Sequence, residues 1–265
     1  GDVTAGTAAL TIKTDDNTVQ INLGGNVTED SVAIKFQLDD TAILFQKFGE
    51  GTKLVQVMQS KDKVIKWTKK IMHWYMNFLN SRTKMKVLES DALIKKTSDI
   101  LINFKNLYPN VYSKFNKNTL QFFYNTKHHL VNERVTLIGQ HNDFNAHNLI
   151  INNLKSKFSF SIIDWEDYEN YCLPVIDLNH YFISNSGLLS KKSKMANYNN
   201  YFINDSYYKS LYLEVIQQLS DLGFISKQAF KYLTPYYFLI MCINLNKQNR
   251  EQTNTLEIWV KRMEI

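Results

Sequence analysis

Cysteine is scarce in this chain, which contains only Cys172 and Cys242. Neither residue belongs to a CxxC pair, which excludes a disulfide scaffold and a zinc site built from paired thiolates. This cysteine usage is typical of proteins from a reducing compartment. We therefore expect a cytoplasmic location.

Long apolar runs are also missing. No segment approaches the roughly twenty consecutive apolar residues that a membrane span requires. The first residues, GDVTAGTAAL, lack the basic start and the apolar stretch of a signal peptide. The sequence therefore predicts no membrane partner. Because the chain begins with Gly1 instead of methionine, we expect that it is trimmed upstream or retains part of a tag.

No basic stripe is present, although 31 Lys and Arg against 25 Asp and Glu give a formal charge of +6. The lysines are spread along the chain, and the densest group, in LSKKSKM, is typical of a solvated loop. This distribution argues against a nucleic-acid partner.

Apolar and aromatic residues are plentiful, at 44% and 13% of the chain. This content excludes a fully disordered protein and supports a large core. The length of 265 residues allows one large domain or two smaller ones.

Two kinds of apolar pattern divide the chain near residue 60. Before it, apolar residues alternate in segments 9–13 and 19–23, and segments 32–37 and 41–48 form a predicted hairpin. After it, they recur at spacings of three and four, which predicts helices at 62–79 and 88–107 and in the last third of the chain. The sequence predicts a mixed α+β protein whose small antiparallel sheet precedes a mainly helical part.

The polar residues with a recognisable spacing lie in VTLIGQHNDFNAHNLIINN (135–153) and in the following IIDWEDY. Asp143 and Asn148 follow a predicted strand, and Asp164 ends the return strand of a predicted hairpin. Phosphoryl transfer requires a carboxylate that meets the acceptor hydroxyl and oxygen ligands that hold Mg²⁺ against the phosphates. Asp143 fits the first requirement, and Asn148 and Asp164 fit the second.

These segments resemble the aminoglycoside phosphotransferase and choline kinase-like family of small-molecule kinases. The family pattern is H-G-D-x-x-x-x-N, then an apolar run ending in I-D-W/F-E, then P-x-x-D-L, and the chain has HNDFNAHN, IIDWE and LPVIDL in that order. The resemblance covers about fifty residues. It implies a protein-kinase-like two-lobed α+β fold, with a small or abbreviated antiparallel-sheet N-lobe (1–58) for the nucleotide and a mainly helical C-lobe (59–265) with the catalytic hairpin.

The resemblance also implies roles for individual residues. Asp143 would be the catalytic aspartate, and Asn148 and Asp164 the Mg²⁺ ligands. His141 would support the loop, and Asp177 would accept backbone hydrogen bonds that hold it. Asn142 replaces the glycine of the family pattern, so we expect an altered backbone geometry there without loss of the chemistry.

The N-terminal part departs from the family pattern. Lys13 and Lys35 are alternative candidates for the lysine that contacts the phosphates, and neither is followed by a helix with a partner glutamate. Backbone groups around Gln46 and Phe48 would face the nucleotide base. No Walker-type phosphate loop is present in the sequence.

The function expected from the sequence is transfer of the γ-phosphate of ATP or GTP, with Mg²⁺, to a hydroxyl of a small molecule. Sugars, sugar derivatives and amino alcohols are the candidate acceptors. The alternative is a pseudokinase-like protein that binds a nucleotide or a partner without turnover.

Overall fold

The computed structural model describes residues 51–80, 85–152, 159–164, 167–247, 256, 258 and 260–262, together with the backbone of four strands before residue 46. The chain divides into two compact units, residues 1–50 and 51–265. It is a mixed α+β protein with mostly helical secondary structure.

Two antiparallel hairpins make up the described part of the first unit. Leu10 lies opposite Ile21 in one of them, and Phe36 lies opposite Ile43 in the other, which is the hairpin predicted from segments 32–37 and 41–48. The strands are β1 (Ala8–Lys13), β2 (Thr18–Leu23), β3 (Ile34–Leu38) and β4 (Thr41–Phe45).

The second unit contains two antiparallel sheets with the orders β5-β8-β9 and β10-β7-β6. The central strands, β7 and β8, are consecutive in the chain, so the loop that joins them, residues 141–148, connects the two sheets. The strands are β5 (Gly51–Lys53), β6 (Lys86–Leu88), β7 (Val135–Gln140), β8 (Leu149–Asn152), β9 (Ser159–Ile162) and β10 (Glu169–Cys172).

Helices supply most of the core of the second unit. Their bounds are α1 (Leu54–Val57), α2 (Lys61–Asn80), α3 (Ser90–Leu107), α4 (Pro109–Tyr112), α5 (Lys117–His129), α6 (Ile176–Ser186), α7 (Lys194–Tyr198), α8 (Tyr207–Asp221) and α9 (Lys227–Lys247), with a π-helical turn at Asn199–Ile203.

Local sequence explains several helix ends. The side chains of Asn116, Ser206 and Ser226 accept hydrogen bonds from backbone N–H groups three residues later, as N-caps do. Gly223, which follows α8 closely, has a φ of 75° that glycine adopts without strain. The predicted N-cap at Ser226 is confirmed.

The start of α3 differs from the sequence expectation. The predicted helix at 88–107 begins at Ser90, and Lys86–Leu88 instead pairs with β7 as strand β6. This pairing is a long-range contact that the local apolar spacing does not encode, so backbone hydrogen bonds to β7 decide the conformation of the segment.

Residues 51–57, which the sequence pattern groups with the N-terminal sheet, pack within the second unit. Thr52 lies opposite Ile151 in the β5–β8 pair. Leu54 is fully buried, and the Val55 N–H donates to the Ala146 carbonyl at 3.1 Å. This segment therefore supports the 141–148 loop directly.

Helix α6 is buried on nearly every side, and Ser184 is its only residue that is not buried. It nevertheless carries the polar side chains of Asp177, His180 and Asn185. Burying such groups is unfavourable unless they form hydrogen bonds. Their bonding partners therefore show which segments of the chain the helix supports.

Within the described part of the chain, no helix combines the length and the apolar character needed to cross a lipid bilayer.

Candidate active site

The 141–148 loop is anchored at its start by Asp177 of α6. The backbone N–H of His141 donates to Asp177 Oδ2, and that of Asn142 donates to Oδ1, each at 2.8 Å. The Asp177 N–H donates in turn to Gln140 Oε1 at 2.7 Å. Burial raises the pKa of Asp177, and the two backbone hydrogen bonds oppose that shift by favouring the carboxylate. The loop therefore has a fixed orientation on a buried helix.

His141 connects the loop to the end of β9. Its Nε2 lies 2.8 Å from the Ile163 carbonyl oxygen, and its Nδ1 lies 3.3 Å from the Asp143 backbone nitrogen. A carbonyl only accepts and an N–H only donates, so the neutral tautomer with the proton on Nε2 satisfies both contacts. His141 thus holds residue 163, the neighbour of Asp164, against the loop.

Asn142 adopts the left-handed backbone conformation, with a φ of 66°. Glycine favours this region, and asparagine is among the few other residues that enter it at low cost. Asn142 thus adopts a conformation that glycine also favours, and the expected difference from the family loop stays a prediction. The Asn142 side chain also donates to the Asp167 carbonyl, which ties the loop to the segment before β10.

Substitutions at Asn142 separate the backbone effect from the side-chain effect. Asn142→Ala and Asn142→Gly both remove the hydrogen bond to Asp167, but only alanine is strained at this φ. We expect the alanine variant to be less stable than the glycine variant by about 1 kcal/mol in the free energy of unfolding, measured by urea denaturation. Equal stability of the two variants would contradict the assigned backbone conformation.

The carboxylate of Asp143 lies at the centre of the loop and receives hydrogen bonds from three side chains. Asn145 Nδ2 donates to Oδ1 and Asn148 Nδ2 donates to Oδ2, each at 2.7 Å. His180 Nε2 lies 2.9 Å from Oδ1. Burial alone would raise the pKa of Asp143, but the contacts with His180 and Asn148 outweigh it and hold the pKa below its ordinary value. Asp143 is therefore an ionised carboxylate in a fixed orientation.

Asn148 and Asp164 lie at the base of the β8–β9 hairpin. The Asn148 carbonyl accepts the Ile163 N–H at 2.9 Å, which places the residue just before Asp164 beside Asn148. The Asn148 amide nitrogen also donates to the Asp143 carbonyl at 3.0 Å, which leaves Asn148 Oδ1 as the side-chain atom that could bind a cation. Asp164 is exposed and has a φ of 64°.

Mg²⁺ prefers oxygen ligands and keeps several of its waters, so a carboxylate and an amide oxygen suit it. In the described part of the chain, His, Cys, Asp and Glu side chains do not cluster in threes that could hold a metal. A site formed by Asp164 and Asn148 would therefore depend on phosphate and water oxygens for its other ligands.

Two contributors to the site, His180 and Asn145, are not among the residues selected from the sequence. His180 lies three residues after Asp177, so both side chains share one face of α6. That spacing is the sequence signal that could have revealed His180. Asn145 lacks such a signal, because its contacts depend on the fold of the loop.

A cavity of about 310 Å³ opens beside the loop, between α3, β10 and α9. Its lining includes Asn142 but not Asp143. A molecule in this cavity would thus contact the loop next to, and not at, the Asp143 carboxylate.

The structure brings together His141, Asp143, Asn148 and Asp177, and His141 and Asn148 both bind the residue before Asp164. Lys13 and Lys35 lie on β1 and β3, of which the backbone alone is described. Gln46 and Phe48 lie outside the described residues.

Comparison with known proteins finds no family model, no curated protein and no solved structure that matches this chain.

Proposed function

We propose that the protein is a small-molecule kinase of the protein-kinase-like type, which transfers the γ-phosphate of ATP or GTP to a hydroxyl of a sugar, sugar derivative or amino alcohol. The observation that carries this proposal is the hydrogen bond between Asn148 and the Asp143 carboxylate. It brings the candidate base next to a candidate metal ligand on a loop that Asp177 holds rigidly.

The roles of the loop residues follow from their contacts. Asp143 is ionised and 41% exposed in its side chain, so it can accept a hydrogen bond from an incoming hydroxyl. His141 and Asp177 touch backbone groups of the loop, so they position Asp143 and do not act on the substrate. Phosphoryl transfer depends mainly on such positioning and on charge stabilisation.

Asn148 and Asp164 are the residues that would hold Mg²⁺. The ion, when bound, would neutralise charge on the nucleotide phosphates. The resemblance assigns Lys13 or Lys35 to the nucleotide phosphates and the backbone near Gln46 and Phe48 to the base, and these assignments stay predictions.

Binding of Mg²⁺-ATP and Mg²⁺-GTP tests the proposal without knowledge of the acceptor. We expect either nucleotide, at about a hundred times its Kd, to raise the Tm of the parent protein by roughly 5 °C in the presence of Mg²⁺. Asp164→Gly should abolish this shift, because glycine keeps the positive φ and lacks the carboxylate. The measurement is a thermal-shift assay with and without Mg²⁺.

The control is Asp205→Gly, since the Asp205 side chain is fully exposed in the loop before α8. It should retain the parent's shift. Absence of a Mg²⁺-dependent shift in the parent would refute the kinase proposal. Binding without phosphate release or transfer would favour the pseudokinase-like alternative.

A further inference from the structure

We propose that His180, held by Tyr237, is a positioning residue that orients the Asp143 carboxylate so that its Oδ2 atom meets the acceptor hydroxyl. The inference rests on the proposed function and specifies which atom of that site makes the contact.

Oδ1 of Asp143 already has two donors. Asn145 Nδ2 lies 2.7 Å away and His180 Nε2 lies 2.9 Å away. Because a carboxylate oxygen has two lone pairs, these donors occupy the acceptor capacity of Oδ1. An acceptor hydroxyl would have to displace one of them to bind this atom.

Oδ2 has a single donor within the part of the chain that the structure describes, Asn148 Nδ2 at 2.7 Å. One of its lone pairs is therefore available, and the side chain is partly open to solvent. Asn148 also bears the candidate metal ligand atom, so a hydroxyl on Oδ2 would lie on the same side of the carboxylate as the phosphates.

The His180 imidazole is also held at its other ring nitrogen, Nδ1. A carboxylate only accepts, so Nε2 carries a proton, and Nδ1 lies 3.1 Å from the Tyr237 hydroxyl. Tyr237 is completely buried on α9, and burial raises its pKa well above the ordinary value. The phenol therefore stays protonated and can donate to Nδ1. The two rings meet edge to face, with centroids 6.2 Å apart.

The chemical step that this arrangement serves is the transfer of the γ-phosphate to the acceptor oxygen. The acceptor oxygen forms a bond to the γ-phosphorus as the bond from that phosphorus to the bridging oxygen of the nucleotide breaks. The hydroxyl proton moves to Asp143 Oδ2, and the nucleoside diphosphate leaves with the electron pair of the broken bond. His180 and Tyr237 take no part in bond making.

Three substitutions test the positioning role through nucleotide hydrolysis, in which water replaces the unidentified acceptor. His180→Phe keeps a ring and removes the donor, so we expect kcat to fall by about tenfold or more while KM for Mg²⁺-ATP stays unchanged. His180→Gln restores an N–H donor and should recover most of the activity. Tyr237→Phe should give an intermediate loss of kcat.

Tyr236→Phe is the matched control, because this neighbouring tyrosine of α9 is also buried but its hydroxyl bonds to Thr126 and Thr97. It should leave kcat unchanged. A parental kcat in a folded His180→Phe variant that still binds nucleotide would overturn the inference. Equal losses of kcat in His180→Phe and His180→Gln would overturn it as well. An inactive parent protein would overturn the proposed function, and this role with it.

Discussion

Replacing Asp143 with asparagine is expected to lower the rate of phosphoryl transfer by about a thousandfold, while Mg²⁺-nucleotide binding persists. The amide has nearly the shape of the carboxylate, but it cannot take the hydroxyl proton. Its N–H₂ group would also replace one of the two acceptor oxygens, so it would face either the Asn148 donor or the donors of Asn145 and His180. Steady-state kinetics of nucleotide hydrolysis or transfer, together with the thermal-shift assay, checks this result.

The control for this substitution is Asp205→Asn, which removes the same charge at a fully exposed site. It should leave kcat and KM unchanged. If the Asp143→Asn variant turned over at the parental rate, Asp143 could not be the catalytic carboxylate.

The pH dependence of turnover should reflect the low pKa of Asp143. Burial raises this pKa, but hydrogen bonds from His180 and Asn148 lower it further than burial raises it. The carboxylate is active when ionised, so its contribution is present at neutral pH and lost only as the pH falls below about 4. An acid limb of the pH–rate profile centred above the ordinary aspartate range would contradict this assignment.

Replacing Asp177 with alanine is expected to destabilise the protein strongly and to release the loop. The change leaves the buried N–H groups of His141 and Asn142 without acceptors. Each unsatisfied buried donor costs roughly 1–3 kcal/mol, so the free energy of unfolding should fall by about 3 kcal/mol. Urea denaturation measures this loss, and nucleotide hydrolysis should fall with it.

Asp99→Ala provides the comparison, because Asp99 pairs with Lys95 on the exposed surface of α3. Exposed ion pairs contribute about 0–1 kcal/mol, so this variant should unfold nearly as the parent does. Equal stability of the two variants would show that Asp177 does not anchor the loop.

Several features could be predicted from the sequence because they depend on neighbours in the chain. Short apolar segments on either side of a turn predict the β3–β4 and β8–β9 hairpins, and spacings of three and four predict α2 and α8. The motif spacing selects Asp143, Asn148 and Asp164. The bond between Asn148 and Asp143 lies within the loop, and the β8–β9 hairpin brings Ile163, the neighbour of Asp164, to the Asn148 carbonyl. Here local propensity and apolar pattern agree with the final fold.

Other features depend on contacts between distant segments. Local spacing predicts helix for residue 88, but pairing with β7 makes Lys86–Leu88 a strand. Residues 51–57 belong to the second unit for two reasons. Strand β5 pairs with β8, and the Leu54 side chain is buried in the core.

The sequence by itself determined the mixed α+β character, the positions of the long helices α2, α3, α8 and α9, and the motif residues Asp143, Asn148 and Asp164. The tertiary structure decided which atoms of Asp143 receive hydrogen bonds and which groups donate them. His180 reaches Asp143 from α6, and Tyr237 reaches His180 from α9, 57 residues further along the chain. Such contacts form only when α6, α9 and the loop pack together, because burial then requires each polar group to find a partner from another element.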